Sequence, residues 1–136
     1  MIATGGIADA RGVSVALSLG AAAVQVGTAY LLCSETKTSQ LHRAAINSEE
    51  SHHTAITNVF SGRPARGIVN RAIMAIGPIN NGAPEFPLAS NAIIATRKKS
   101  ESTGSGDFSP LWCGQNATGC KEISATELTR ELAAEL

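Results

Sequence analysis

A chain of 136 residues has room for a single domain of ordinary size. With 43% hydrophobic residues, and 11 Lys and Arg balanced by 11 Asp and Glu, its composition excludes extended disorder and an acidic tail, and argues against a dedicated binder of phosphate backbones. Thirteen glycines against one Trp, one Tyr and three Phe point to a core of small aliphatic residues with many tight turns, which suits an α/β protein.

In chain order, Met1-Ile2-Ala3-Thr4 reads as the end of a buried strand that stops at Gly5-Gly6. Asp9 is placed to cap a helix in which Val13, Ala16, Leu17 and Gly20 recur at three- and four-residue spacing, with Gly20 as the left-handed residue that ends it. Ala22 to Val26 is a second buried strand, closed by Gly27-Thr28. A strand, helix, strand unit with so short a connection predicts parallel neighbours. The stretch Gly12 to Ser34 has no charged residue and is long enough to span a bilayer, but Ser14, Ser18, Gly20, Gln25 and Thr28 interrupt it and its periodicity changes partway, so a buried helix, turn and strand is expected instead of a membrane span.

Downstream the pattern is mostly helical. Gln40 to Asn47 reads as a short helix, Thr54 to Phe60 as an extended segment, and Gly62 to Gly67 as a loop leading into a helix around Ile68 to Ile76. Gly77 to Pro87 is rich in Gly, Pro and Asn and is expected to be irregular. A further helix is expected to begin near Phe86-Pro87 and to close at Arg97-Lys98-Lys99, before a Ser/Gly-rich stretch ending at Gly106. The last helix carries Ser124 and Glu127 in capping-box spacing, then Leu128 and Leu132 on one face.

The chemistry lies in the first turns. A glycine pair directly after a parallel strand leaves backbone N–H groups unobstructed where the next helix begins, and the helix dipole there favours an anion. Gly27-Thr28 ends the adjacent strand on the same edge, so both turns face one point and Thr28 adds a hydroxyl donor. Phosphate is the expected guest. In (β/α)8 barrels such a site forms from the last two strand loops and an extra short helix, for which Thr28 to Leu32 is the candidate.

Ile2-Ala3-Thr4-Gly5-Gly6-Ile7-Ala8-Asp9, Leu19-Gly20-Ala21, and Val24-Gln25-Val26-Gly27-Thr28-Ala29 resemble the last two β/α units of the nitronate monooxygenases, also called 2-nitropropane dioxygenases. Phe60-Ser61-Gly62-Arg63-Pro64-Ala65-Arg66-Gly67 and Leu111-Trp112-Cys113-Gly114-Gln115 resemble later segments of the same family, in the expected order. The resemblance implies an α/β fold: the C-terminal part of a (β/α)8 TIM barrel, with the last two strands and the phosphate turns in residues 1–35 and a mostly helical C-terminal region in 36–136. It implies FMN as cofactor, with Gly6 and the run Gln25, Val26, Gly27 and Thr28 at its phosphate end and Gly5 as a neighbour.

The implied reaction is one-electron oxidation of an alkyl nitronate by FMN, followed by reaction with oxygen to give a carbonyl compound and nitrite. A barrel takes about 250 residues, so this chain would begin at the seventh strand, as a partial record or the product of a truncated gene. The family's catalytic histidine falls on the earlier portion. His42, His52 and His53 match none of its motifs, and no catalytic residue is assigned here. A flavin-dependent enoyl-acyl-carrier-protein reductase shares the same turns and is the first alternative. A catalytically inert remnant or small interaction module is the second.

The remaining features read as structural. His52-His53 point apart, and no metal site is expected. Arg63, Arg66 and Arg71 lack interleaved aromatics, so no nucleic-acid partner is expected. Cys33, Cys113 and Cys120 are odd in number and form no C-x-x-C pair, which points to inert reduced thiols and a cytoplasmic setting without a membrane anchor. Asn116-Ala117-Thr118 spells a glycosylation acceptor by chance, within a run more polar than the family resemblance implies. Nothing in the sequence sets an oligomeric state.

Overall fold

The computed structural model describes all 136 residues of the chain. They divide into two compact units, Met1–Ser39 together with Gly114–Leu136, and Gln40–Cys113.

In the first unit, β1 (Ile2–Thr4) and β2 (Ala23–Gln25) form a two-stranded parallel sheet with Thr4 opposite Gln25. β2 is one residue shorter at each end than the apolar run Ala22 to Val26. Helix α1 (Ala10–Ser18) makes the crossover that a parallel pair requires. It starts where the sequence predicts: Asp9 is extended, and its carboxylate accepts from the Gly12 N–H at 2.7 Å. It ends as predicted too. Gly20 sits at φ 96°, its N–H donates to the Leu17 carbonyl at 2.9 Å, and the Ala21 N–H reaches back to Ala16 at 3.1 Å, the paired bonds of a left-handed helix end.

A 3₁₀ helix, Thr28–Leu32, follows β2. Helix α5 (Ala125–Leu132) belongs to the same unit. The Ser124 hydroxyl accepts from the Glu127 N–H at 3.1 Å, as the capping spacing predicts. The Glu127 carboxylate in turn accepts from the Ser124 hydroxyl at 3.3 Å, and the Ala125 N–H is taken by both carboxylate oxygens of Glu35, at 3.0 Å each, a backbone bond that holds the Glu35 carboxyl below its ordinary range. Leu128 and Leu132 then close a core with Val13, Ala29 and Cys33, and the Tyr30 hydroxyl meets Thr129 Oγ1 at 2.8 Å.

The second unit contains α2 (Gln40–Ile46), a 3₁₀ turn at Glu49–His52, β3 (Thr54–Thr57), β4 (Ala65–Ile68), α3 (Arg71–Ile76) and α4 (Ala89–Ser102). It corrects the mostly helical reading. β3 and β4 pair antiparallel from Thr54↔Ile68 to Thr57↔Ala65, so the loop expected at Gly62 to Gly67 stops at Pro64, and the extended segment from Thr54 ends at Thr57. Ile68 belongs to the strand. The following helix starts only at Arg71, because Asn70 caps it, accepting from the Ile73 N–H at 3.3 Å. Pro87 lies outside α4, and that helix runs three residues past Lys99.

Leu111 to Cys113 run beside β4. The Ile68 N–H donates to the Leu111 carbonyl at 2.8 Å and the Cys113 N–H to Arg66 at 3.1 Å, around an antiparallel bridge between Gly67 and Trp112. Gly67 permits this approach, since a Cβ there would stand 3.0 Å from the Leu111 oxygen. Phe60 packs its ring at 87° to Trp112, with centroids 5.8 Å apart, over a core of Val59, Ala72 and Ile73.

Gly62 has φ 85°, and a Cβ there would fall 2.5 Å from backbone atoms of Pro84 and Phe86. The substitution Gly62→Ala should therefore cost at least about 2 kcal/mol. Thermal melting checks this; an unchanged midpoint would contradict the close backbone packing at this turn.

Candidate functional site

The register of β1 and β2 ends both strands at the same edge, with Thr4 opposite Gln25 and the Thr4 hydroxyl donating to the Gln25 carbonyl at 3.1 Å. The chain leaves each strand through glycine. Gly5 and Gly6 have φ of 96° and 72°, a region that L side chains rarely adopt, and together with Thr4 and Ile7 they form one wall of a cavity of about 170 Å³. Gln25, Gly27 and Thr28 form the other wall, and Gly114 and Asn116 close it. Thr28 Oγ1 and the Gly6 nitrogen both lie within 4 Å of the point where a Cβ on Gly114 would sit, so the two turns converge.

The glycines in both walls expose bare backbone. A Cβ added to Gly5, Gly6 or Gly27 would meet nothing within 4 Å, so side chains there would stand in open space at the cavity. Gly6, Gly27 and Thr28 spend no amide N–H on a backbone acceptor, and Thr28 heads the 3₁₀ helix, whose first donors precede any partner of their own. Thr28 Oγ1 accepts from the Gly114 N–H at 2.8 Å, which leaves its own proton to donate. No Lys or Arg lines the cavity, so its donors are neutral dipoles. Such a set suits the oxygens of an anion.

Of the residues singled out from sequence, Gly5, Gly6, Gln25, Gly27 and Thr28 share this cavity. Val26 does not line it. Its side chain packs with the Val13, Ala29 and Leu128 core and faces a separate cavity of about 520 Å³. A third cavity of about 350 Å³ lies in the second unit, among residues such as Val59, Ile93 and Phe108. Both are larger but mostly apolar, and an anion needs converging donors more than volume. Sequence reasoning missed Asn116 as a cleft residue and assigned Gly114 no role. The signal was present in the polar run after Gly114-Gln115: Asn116 Oδ1 accepts from the Thr118 N–H at 3.0 Å and from Thr118 Oγ1 at 2.6 Å, so the glycosylation-like triplet builds an Asx turn.

A family model described as nitronate monooxygenase matches residues 1–135. The chain belongs to the nitronate monooxygenase family. That family is one of flavin-dependent oxidoreductases. The nitronate monooxygenase of Pseudomonas aeruginosa is 40% identical over 137 residues, which cover 100% of this chain and 39% of that protein. The crystallised nitroalkane oxidase from Streptomyces ansochromogenes superposes with a TM-score of 0.87 at 34% identity, over 99% of this chain and 38% of its own. FabK from Thermotoga maritima is more distant, with a TM-score of 0.69 at 26% identity over 98% of this chain and 43% of its own. The chain thus spans about two fifths of the length of the relatives it matches.

The residues present have the donor chemistry that the phosphate end of a flavin nucleotide would need. The bare turns at Gly5-Gly6 and Gly27 leave room that any side chain would fill, and the free Thr28 proton and unspent amides match phosphate oxygens.

The other reactive side chains are occupied within their own units. His42 Nε2 lies 2.9 Å from the Trp112 carbonyl, and burial pulls its pKa down. Arg63 stacks on Phe86 at 4.7 Å, and Arg66 Nη1 donates to Thr54 Oγ1 at 3.1 Å. None of the three cysteines is in a disulfide; Cys33 is 0% exposed and Cys113 3%, and burial pushes the Cys113 thiol up. With a thiol-labelling reagent at neutral pH, the native chain should expose one fast-reacting thiol, Cys120, and release the other two only on denaturation. Fast labelling of Cys113 in the native state would contradict this burial.

Proposed function

We propose that this chain carries the phosphate-binding end of an FMN site in an enzyme that oxidises alkyl nitronates to a carbonyl compound and nitrite with oxygen. On this reading β1 and β2 are the last two strands of a (β/α)8 barrel, and the substrates are a small nitronate and dioxygen. The observation that carries the reading is the convergence of two Cβ-free turns on one cavity, with Thr28 Oγ1 and the Gly6 nitrogen near a common point. Family membership supports the flavin, and the Pseudomonas aeruginosa relative's name supports the nitronate over a reductase substrate. Three cysteines outside any disulfide are compatible with a reducing, cytoplasmic setting, and no helix is long and apolar enough to cross a membrane.

This chain's own contribution is binding and orientation. The Gly5-Gly6 turn offers unobstructed amides from one side, and Gly27 with Thr28 offers amides and a hydroxyl from the other. With no cation in the cleft, attraction comes from preorganised dipoles that need no rearrangement when the anion arrives. The Val26 side chain is half-buried against the Val13 and Leu128 core, so any contact it makes with a nucleotide is through its backbone. A flavin bound here would supply the electron transfer, which no residue of the chain performs. No residue of the chain is assigned as catalytic base.

Paired titrations with FMN and riboflavin, followed by flavin fluorescence, test this, because the two ligands differ only in the phosphate. FMN should bind at least about tenfold more tightly, the scale of one or two hydrogen bonds to a charged group. Thr28→Val should erode that advantage and leave riboflavin affinity unchanged. Equal affinities of the unaltered chain for both ligands would remove the phosphate reading.

A further inference from the structure

The segment Gly114 to Cys120 touches both glycine turns, although 86 residues separate Gly114 from Thr28 and 110 separate Asn116 from Gly6. The Gly114 N–H donates to Thr28 Oγ1 at 2.8 Å, and Asn116 Nδ2 donates to the Gly6 carbonyl at 3.3 Å. Cys120 Sγ donates to the Thr28 carbonyl at 3.3 Å. Gly119 lies so close to Ala8 that a Cβ would overlap the Ala8 carbonyl and side chain. From these contacts we infer that Gly114 and Asn116 are positioning residues for the anion, holding the two turns in register and setting the direction of their donors. This rests on the phosphate reading above and extends it to residues outside the turns.

Each bond does something that mere surface cover would not. An amide N–H on Thr28 Oγ1 takes up the oxygen as acceptor, so the hydroxyl proton is directed elsewhere and is polarised as a better donor. The Asn116 amide covers the Gly6 carbonyl, an acceptor whose dipole would repel an anion held against the neighbouring amide. Asn116 is itself fixed, because its Oδ1 accepts twice from Thr118, which turns Nδ2 toward Gly6. Gly114 must be glycine on this reading, since a Cβ would press on Thr28 Oγ1 at 3.2 Å and displace the donor it orients.

The test is the ratio of FMN to riboflavin affinity in the full chain, measured with the thermal midpoint for Asn116→Ala and Gly114→Ala. Each variant should lower FMN affinity about fivefold, the scale of one neutral hydrogen bond, and leave riboflavin affinity unchanged. Asn116→Ser keeps an oxygen for the turn but loses the donor to Gly6; it should behave like Asn116→Ala and serves in its place if that variant does not fold. If the unaltered chain discriminates between the ligands and the variants keep its full ratio, the positioning role is overturned while the phosphate reading stands. A parallel loss for both ligands together with a lower midpoint also overturns it, leaving the segment as scaffold. If the unaltered chain binds both ligands equally or neither, the phosphate reading fails and the inference fails with it.

Discussion

Everything in the first unit serves one constraint: two main-chain turns must arrive side by side with no Cβ between them. Parallel pairing meets it economically, because strands in register end at the same edge and their exits are neighbours by construction. The bond from the Thr4 hydroxyl to the Gln25 carbonyl ties the last paired residues together just before the chain diverges. Glycine at 5 and 6 then allows left-handed backbone that another residue would resist, and glycine at 27 keeps the second exit bare.

That edge is held from behind. α1 is started by Asp9 and stopped at Gly20, which delivers the chain into β2 at the register that aligns Thr4 with Gln25. α5 returns from the far end of the sequence to bury Leu128 and Leu132 against Val13, Ala29 and Cys33, so the core of this unit is built of small aliphatic side chains. Its first N–H is satisfied by Glu35, three residues beyond the 3₁₀ helix, so the cap of the last helix also fastens the chain that leaves the cleft. The cavity is small and uncharged, and it is made of donors already pointed. In that setting an anion gains from dipoles held by the fold, without the conformational cost of long cationic side chains.

What the sequence revealed and concealed follows from range. Asp9, Gly20 and Ser124 act on residues three positions away, and their consequences were legible. β4 was hidden because Pro64 and Gly67 carry turn composition, whereas Gly67 is needed for the approach of Leu111, more than forty positions on. Asn70 concealed a helix start: the apolar run Ile68-Val69 reads as helix until the cap at Asn70 divides strand from helix. Asn116 was the hardest to read. Its triplet has the composition of a surface acceptor, and only the fold shows that it folds on itself and reaches Gly6. Val26 differs from its neighbours for a simpler reason: its side chain packs against the Val13 and Leu128 core, whereas Gln25 reaches the cleft.

The most direct measurement is a two-dimensional amide NMR titration of the chain with inorganic phosphate, which asks whether these bare amides receive an anion at all. The amides of Gly6, Gly27 and Thr28 should move together and saturate along one binding curve. Shifts confined to the environs of Arg63, Arg66 and Arg71, with the glycine turns unmoved, would contradict the placement of the anion between the turns that follow β1 and β2.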